Sequence, residues 1–318
     1  MIESQYLTEA RLRDGFTYNG LRPGCLEIAD KHGYNASIIC DSINKYGSRL
    51  TTITATYPRF VHSELMTHRE FSRNAASSRA IPISKVLEQV SSNPAMPYKW
   101  QLNIKGMQGG DELDKEDGLL ARDEWISARD QVLLYTDHLQ QLGCHKQICN
   151  RLLEPFVWMT TVISSTNWNN FFHLRCSDLA DPSLRHIAEM IRFVIENNKP
   201  MLIGVAEGPV SQWHLPFVRD SIDFEFLQEQ YRIDELKRIA VARCARVSYL
   251  NHEKKHDPEG DLQLCKSLEE NGHWSAFEHI ATPRYYFDKE LNLQQKRNGN
   301  FHESWLQYRK TFKNEVIR

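Results

Sequence analysis

The sequence has 318 residues, of which 41% are hydrophobic and 25% charged, and its formal net charge is -2. A chain of this length can bury a sizeable core, as one large domain or two ordinary ones. The near-neutral charge excludes a generally basic surface for nucleic acid or an anionic membrane. No apolar run approaches the roughly 18–20 residues of a membrane span, and the N-terminus lacks the hydrophobic region of a signal peptide. We therefore expect a cytoplasmic globular protein in which any anion site is local.

The number and spacing of the cysteines also favour the cytoplasm. The chain has seven cysteines, an odd number, and no C-x-x-C pair. Without a signal peptide, this composition favours reduced thiols in the cytoplasm over a disulfide framework.

The first predicted elements lie in the N-terminal half. Leu50–Pro58 is rich in Thr and Ile with rough alternation, which predicts a strand. Pro58 can then open a short helix, and the stretch Met66–Ala80 is expected to form a loop beyond it. The acidic, glycine-containing segment 107–118 predicts an exposed linker within a single domain that spans 1–318.

Helices dominate the rest of the pattern. Apolar residues at helical spacing predict helices over 83–90, 119–142, 182–197, 233–245 and 259–270. The clearest is 182–197, because Asp181 can cap it and Pro182 sits in its first turn. With a few strands beside them, these elements predict an α+β fold.

The sequence MTHREFSRNAASSRA (Met66–Ala80) has the composition of a ligand site. It holds three arginines, several short polar side chains and a single acid, Glu70. Guanidinium groups bind phosphate in a bidentate manner, and Ser and Asn provide short donors, so the stretch suits an oxyanion and a nucleobase. The alternative is an arginine-rich surface turn.

Several other site motifs are absent. The sequence has no G-x-G-x-x-G, G-x-x-x-x-G-K-[ST], H-E-x-x-H or G-x-S-x-G. His252 and His256 are four residues apart, but no Cys or carboxylate spacing completes a metal site around them, so we predict no metal.

The sequence HREFSRNAASSR resembles the R-H-R-x7-S signature of the flavin-dependent thymidylate synthases, which an Arg follows two residues later. Here it reads Thr67-His68-Arg69, seven residues, Ser77 and then Arg79, with Thr67 in place of the first signature Arg. The resemblance implies a helix-rich α+β fold in which this loop lies between flavin and nucleotide.

Two further blocks resemble conserved regions of the same family. In NRLLEPFVWMTTVISSTNWNNFFHLRC, the resemblance assigns Arg151 to the nucleotide, Asn170 to the flavin and Arg175 to catalysis. Taken alone, this block also suits a buried aromatic helix in which Arg175 merely pairs with a carboxylate. The segments ARCARVSYL and NGHWSAFEHIATP resemble A-R-V-S and H-x-[ST]-P-F-E-H, with Ala276 in place of Pro. Their flavin-side residues correspond to Ser248, His273, Ser275 and Glu278.

The order of the blocks is unusual, because the A-R-V-S and F-E-H block comes first in typical members and last here. The resemblance therefore implies a circularly permuted or rearranged member. Permutation at exposed loops preserves a core, since chain termini often lie close together.

The resemblance implies reductive methylation of dUMP to dTMP, with FAD as cofactor and NADPH and methylenetetrahydrofolate as co-substrates, in a homotetramer whose sites are shared between subunits. No nucleic acid or membrane partner is expected. The complete set of expected site residues divides by role. Arg175 is catalytic. Glu64, Ser77, Ser78, Arg79, Arg151 and Arg175 bind substrate, and His68, Arg69, Asn74, Asn170, Ser248, His273, Ser275 and Glu278 bind the cofactor.

Two alternatives stay open. Thr67, Glu64 where members often have Gln, and Ala75 where they often have Glu are compatible with a relative that modifies C5 of uridylate differently, for instance by hydroxymethylation. The other alternative is a homologue that binds nucleotide or flavin without catalysis.

Overall fold

A mixed sheet forms the centre of the molecule. The structure is a computed structural model, and it describes residues 10–12, 25–205, 208–247, 257–284 and 299–316. Six strands pair antiparallel in the order β1-β2-β3-β4-β6-β5, and a short β7 pairs parallel with β3. The strands are β1 Ala10–Leu12, β2 Leu26–Ala29, β3 Asn35–Ile43, β4 Arg49–Pro58, β5 Ser72–Ala75, β6 Trp158–Ser165 and β7 Met201–Leu202.

The helices occur mainly between and after these strands. They are α1 His62–Leu65, α2 Ile83–Ser92, α3 Lys115–Gln141, α4 Lys146–Leu152, α5 Asn169–Arg175, α6 Pro182–Asn197, α7 Phe224–Gln230, α8 Ile233–Arg246 and α9 Pro258–Glu270. A small second sheet pairs β8 Ala281–Pro283 with β9 Trp305–Gln307. The α+β class predicted from the sequence is confirmed.

The two faces of the large sheet are covered by different layers. On one face, Ile53 and Ile163 pack with the apolar side of α6, which includes Ile187 and Ile191. On the other face, Val162 joins a core cluster with the buried side of α8. Because both faces are covered, β4 is buried along most of its length, and alternate residues enter opposite cores.

Several predicted elements are confirmed with small changes at their ends. The strand predicted at Leu50–Pro58 begins at Arg49. The helix predicted over 182–197 has that extent, and Asp181 Oδ1 accepts from the N–H groups of Ser183 and Leu184 at 2.8 and 3.1 Å. The predicted cap is therefore formed as expected.

Three predictions of local structure were wrong in part. Residues Ser72–Ala75, expected in a loop, form the edge strand β5 because their backbone groups pair with β6. The predicted linker ends early, since Asp114 caps α3 and the helix begins at Lys115. The apolar stripe expected on this helix is only half covered, because Trp125 packs on Phe156 whereas Tyr135 is exposed.

Candidate functional site

The Arg175 cluster joins two distant segments of the sequence. Arg175, the last residue of α5, reaches the turn that follows α1. Its Nε donates to His68 Nε2 at 3.0 Å, and its Nη1 lies 2.8 Å from Glu64 Oε2. Its Nη2 is held less closely, at 3.3 Å from Thr67 Oγ1 and 3.5 Å from the Glu64 carbonyl oxygen. We call Glu64, Thr67, His68 and Arg175 the Arg175 cluster.

His68 is the buried member of this cluster. Its side chain packs between Phe71, at a centroid distance of 5.7 Å, and Phe171, at 5.0 Å. Burial, with the charges of Arg175 and Arg73 beside it, lowers the pKa of His68 to about 4. The ring is therefore neutral near pH 7, and because Nε2 accepts from Arg175, the proton lies on Nδ1.

Thr67 takes a definite place beside Arg175. Its hydroxyl donates to the Glu64 carbonyl oxygen at 2.7 Å and accepts from Arg175 Nη2. A guanidinium at position 67 would face Arg175 with a like charge, whereas the Thr67 hydroxyl supplies an acceptor. Together with the Glu64 carboxylate and the His68 ring, this hydroxyl holds Arg175 at all three nitrogens.

The serine-rich end of the same sequence block forms a second group. Asn150 Nδ2 donates to the carbonyl oxygens of Ser78 and Ile81 at 2.7 and 3.1 Å, so α4 holds the turn 77–81. Ser78 Oγ donates to Glu154 Oε1 at 3.1 Å, and the same oxygen lies 2.9 Å from Arg59 Nη2.

The two expected phosphate ligands lie in this turn and on α4. Arg79 and Arg151 are exposed, and neither has a side-chain ion pair within the described ranges. Ser77 Oγ accepts from the N–H of Arg79 at 3.3 Å. Arg79 in the turn and Arg151 on α4 therefore each offer an exposed guanidinium group, and Ser77 offers a hydroxyl that can donate, which is chemistry that can bind a phosphate.

The third group lies on the sheet face that packs against α8. Asn74 on β5 is buried, and its Oδ1 lies 3.3 Å from His279 Nε2. Glu278, the residue before His279, forms an ion pair with Arg309. The Gln307 side chain donates to the Glu278 carbonyl oxygen at 3.0 Å. The C-terminal segment thus holds the F-E-H block against β5.

A buried chain of hydrogen bonds continues from His279 across the sheet. His279 Nδ1 lies 2.8 Å from Ser164 Oγ, which contacts Thr52 Oγ1 at 2.5 Å. Thr52 contacts His214 Nε2 at 2.7 Å, and His214 Nδ1 contacts Ser42 Oγ at 2.8 Å. Burial lowers the pKa of His279 to about 3 and that of His214 well below its usual value. Both rings are therefore neutral and can donate from one nitrogen while accepting at the other.

Four expected cofactor ligands present free polar groups. Arg69 in the turn before β5 and Asn170 on α5 are exposed, as are His273 and Ser275 before and within the 3₁₀ turn Ser275–Glu278. Ser248 lies outside the described residues. No hydrogen bond or ion pair within the described part of the chain joins the Arg175 cluster to His273, Ser275 or Glu278. Hydrogen bonds and ion pairs among the described residues therefore link the predicted residues into three groups rather than into one network.

Sequence reasoning missed the residues that hold these groups in place. Asn150, Glu154 and Arg59 fix the serine turn, and His214 extends the buried chain from a segment to which no role was assigned. Their partners are distant in sequence, so no local spacing identified them. Arg309, which lies beside aromatic residues in FHESWLQYRK, forms an ion pair with Glu278.

Searches for metal and membrane features gave two negative results. Over the residues that the structure describes, no three side chains of the types His, Cys, Asp and Glu are grouped to hold a metal ion. No helix in the same part of the chain has the length and apolar character needed to cross a membrane.

Comparisons with known proteins give limited similarity. No protein-family model matches the sequence, and no curated protein matches it. Solved structures that are similar to parts of the chain include a UMP/dUMP methylase from Streptomyces cacaoi bound with 5-Br dUMP. That match has 15% identity and a TM-score of 0.38 and covers 48% of this chain and 68% of the methylase. The same methylase bound with 5-Br UMP gives 14% identity and a TM-score of 0.40 over 52% of this chain and 88% of the other. TM-scores below 0.5 do not by themselves establish a shared fold.

Proposed function

We propose that this protein catalyses the FAD-dependent reductive methylation of dUMP at C5, with methylenetetrahydrofolate and NADPH as co-substrates. The observation that carries the proposal is the contact of Arg175 with Glu64, Thr67 and His68. These residues come from two sequence blocks that resemble one family, and they meet in space although more than a hundred residues separate them. The contacts between Asn74 and the F-E-H block support the same assignment for the third block.

The proposed role of Arg175 follows from its charge and its unequal contacts. A guanidinium stabilises negative charge that develops on a uracil oxygen as C5 becomes nucleophilic. Nη2 is the nitrogen with the longest contacts, and its contact with the Glu64 carbonyl oxygen, at 3.5 Å, can be exchanged for the substrate at the smallest cost while the contact with Thr67, at 3.3 Å, is kept. The bonds from Nε to His68 and from Nη1 to Glu64 keep the guanidinium plane oriented while this happens.

Arg79 and Arg151 are proposed to bind the 5′-phosphate of dUMP. Both are exposed and lack an ion pair in the described segments, so a phosphate has no intramolecular acid to displace. Ser77 and Ser78 add hydroxyls beside them. The turn is fixed by Asn150, so little conformational entropy is lost when the nucleotide binds.

The residues present are chemically suited to hold FAD. Arg69 offers a charge for a pyrophosphate, and Asn170, His273 and Ser275 offer exposed hydrogen-bonding groups, whereas a Rossmann fingerprint is absent. His68 and Asn74 would orient the neighbouring backbone, and Glu278 would keep its position through Arg309. Bound FAD would supply the hydride equivalent that completes the methyl group.

Oligomeric state and motif order belong to the same proposal. Because the predicted residues form three groups on one protomer, we propose that a complete site is shared between subunits of a homotetramer. The A-R-V-S and F-E-H block follows the Arg175 block in this sequence, which supports a permuted or rearranged relative of the flavin-dependent thymidylate synthases. We propose the cytoplasm as its location, in line with the free state of the seven cysteines.

A second candidate function is supported by Thr67 and Glu64. Thr67 stands where the resembled pattern has Arg, and Glu64 stands where it often has Gln, so both residues make the surroundings of Arg175 less positive. Thr67 also contacts Arg175 directly. A changed neighbourhood of the proposed catalytic group suits a different C5 modification of uridylate, such as hydroxymethylation. A third outcome is binding of nucleotide or flavin without turnover.

One incubation separates these functions. Protein reconstituted with FAD is mixed with dUMP, methylenetetrahydrofolate and NADPH, and the nucleotide product is identified by mass. We expect dTMP. A product one oxygen heavier would instead establish hydroxymethylation, and a retained flavin spectrum without product would establish a binding protein. Protein that retains no FAD after gel filtration would contradict the flavin assignment.

A further inference from the structure

A cavity lies away from the Arg175 cluster, between the turn that follows β2 and the N-terminal half of α3. Its volume is about 340 Å³, which is within the range of small-molecule sites, roughly 300–1,000 Å³. None of the residues predicted for uridylate or flavin lines it. It therefore lies outside the site that carries the proposed reaction.

The side chains with a full charge that line this cavity are all basic. Lys31, Arg122 and Arg129 line it, and no Asp or Glu does. Arg129 is partly compensated, because its Nε lies 2.7 Å from Asp130 Oδ1. Lys31 and Arg122 are exposed and have no ion pair among the described residues. In a chain with a net charge of -2, these two uncompensated cations favour an anionic ligand.

The walls of the cavity are held by buried contacts. Asp30 Oδ1 accepts three backbone N–H groups, from residues 32, 33 and 34, each at 2.9 Å, and Asp30 Oδ2 lies 2.9 Å from His186 Nε2. The turn that carries Lys31 is thereby fixed to α6. Gly33 has φ of +115°, and a Cβ there would lie 2.8 Å from the Trp158 ring. The turn can therefore approach Trp158 only because residue 33 is glycine.

The opposite wall is fixed as well. Arg129 Nη1 donates to the carbonyl oxygens of Val90 and Ser91 at 3.2 and 3.1 Å, which joins α3 to the C-terminal end of α2. Arg122 lies two helical turns earlier on α3. A wall that is already ordered costs little entropy when a ligand binds to it.

The rest of the lining is mixed, with polar groups from His32, Ser91, Ser92 and Asn93 beside apolar and aromatic side chains. Pro94, Met96 and Ile126 line the cavity together with Trp158. The indole Nε1 of Trp158 already donates to the Asn93 carbonyl oxygen at 3.1 Å, so its ring adds apolar surface rather than an open donor. A bare inorganic anion would leave this surface exposed to water, whereas an anion with a ring attached would cover it.

We propose that this cavity binds a nucleoside monophosphate at a second site, with the phosphate at Lys31 and Arg122 and the base against Trp158 and Met96. Two cations match the charge of a phosphate monoester. The cavity has the volume of a small-molecule site, and its lining combines cations with apolar and aromatic side chains. The inference goes beyond the proposed methylation and does not depend on it.

The test uses the full chain saturated with FAD, because AMP is one half of FAD, and it uses AMP, a purine nucleotide, to avoid the proposed uridylate site. Calorimetry measures AMP, adenosine and inorganic phosphate separately. We expect AMP to bind at least about tenfold more tightly than either fragment, because each fragment fills only one half of the cavity. Inorganic phosphate that binds as tightly as AMP would overturn the assignment of a nucleotide, and so would an absence of AMP binding.

Charge-reversal variants locate the bound AMP. Lys31→Glu with Arg122→Glu should weaken AMP binding at least about tenfold, whereas Lys105→Glu with Lys313→Glu, an equal charge change on exposed residues outside the cavity, should leave it unchanged. Circular dichroism checks that both variants fold. Equal weakening in the two double variants would overturn the proposal. Loss of AMP binding in Arg79→Ala with Arg151→Ala would overturn it too, because it would place AMP at the uridylate site.

Discussion

The two arginine groups of the candidate site differ in how the protein holds them. Arg175 donates from all three nitrogens to Glu64, Thr67 and His68. Arg79 and Arg151 are exposed, and the described residues give neither of them an ion pair. An arginine that is oriented in advance suits stabilisation of a transition state, whereas free arginines suit capture of a ligand charge. We therefore expect changes at Arg175 to affect mainly kcat, and changes at Arg79 or Arg151 to affect mainly the binding of dUMP.

The largest effect is expected for Arg175→Ala. Removing a preorganised donor to a developing oxyanion should lower kcat about a thousandfold, because such donors contribute about 10²–10³ each. Steady-state kinetics of dTMP formation measures this, with thermal unfolding as the control for folding. A variant with near-normal kcat would remove Arg175 from the catalytic set.

Arg79→Ala is expected to have the next largest effect. Loss of one charged hydrogen-bond pair with phosphate costs about 1.5–3 kcal/mol, so the Kd for dUMP should rise roughly 10- to 100-fold while the fold is unchanged. Calorimetry with dUMP measures the change, and Arg69→Ala, which alters the expected flavin side, is the matched control. Unchanged affinity for dUMP would contradict the phosphate role.

A pH change should affect the Arg175 cluster selectively. The folded-state pKa of His68 is lowered to about 4, below its usual value near 6.5. Its neutral form therefore contributes stability that is present above pH 6.5 and is lost as the pH falls from about 6.5 toward 4. Protonation in the folded protein removes the acceptor that orients Arg175 Nε, so kcat should fall as the pH approaches the folded-state pKa of about 4.

His68→Gln separates this effect from general acid unfolding. A glutamine oxygen accepts from Arg175 at every pH, so kcat of the variant should be flatter between pH 4 and 6.5. The buried rings of His214 and His279 have lowered pKa values too, and they should destabilise both proteins equally at acid pH. An identical acid limb of kcat in variant and parent would show that His68 does not orient Arg175.

Added salt should affect the role of the exposed Arg79 and Arg151 more than that of Arg175. Raising the ionic strength from about 0.05 to 0.5 M screens exposed charges far more than buried ones, so KM for dUMP should rise severalfold and kcat should stay nearly constant. The initial rates are measured in sodium chloride and repeated with Arg79→Ala, where the rise should be smaller. A salt effect confined to kcat would contradict the assignment of the exposed arginines to binding.

The smallest effect is expected for Thr67→Val. Valine keeps the shape of threonine but removes the acceptor of Arg175 Nη2, a long contact of 3.3 Å. One weak hydrogen bond contributes about 0.5–1.5 kcal/mol, so kcat should fall about 2- to 10-fold. Thr67→Ser keeps the hydroxyl and should retain the parent kcat. Equal losses in the two variants would show that the methyl group rather than the hydroxyl matters.

Local structure could be predicted well from the sequence. The strand at Leu50–Pro58 and the helix over 182–197 were confirmed because alternation, helical periodicity and a capping Asp act over short distances. β5 and β6 were not predicted, since pairing between distant segments decides whether such short runs become strands. The site residues, the single domain, the cofactor and the permuted order stay predictions.

The chemistry available in each block can be predicted from the sequence alone. The sequence placed His68 and Thr67 in one motif, Arg175 in another and His279 in a third. The tertiary structure determines that Arg175 contacts Glu64 and Thr67, whereas Arg79 and Arg151 have no ion pair with any residue that the structure describes. The reason is physical: motif composition is local, whereas the partner of a charged side chain depends on how helices and strands pack across the sheet.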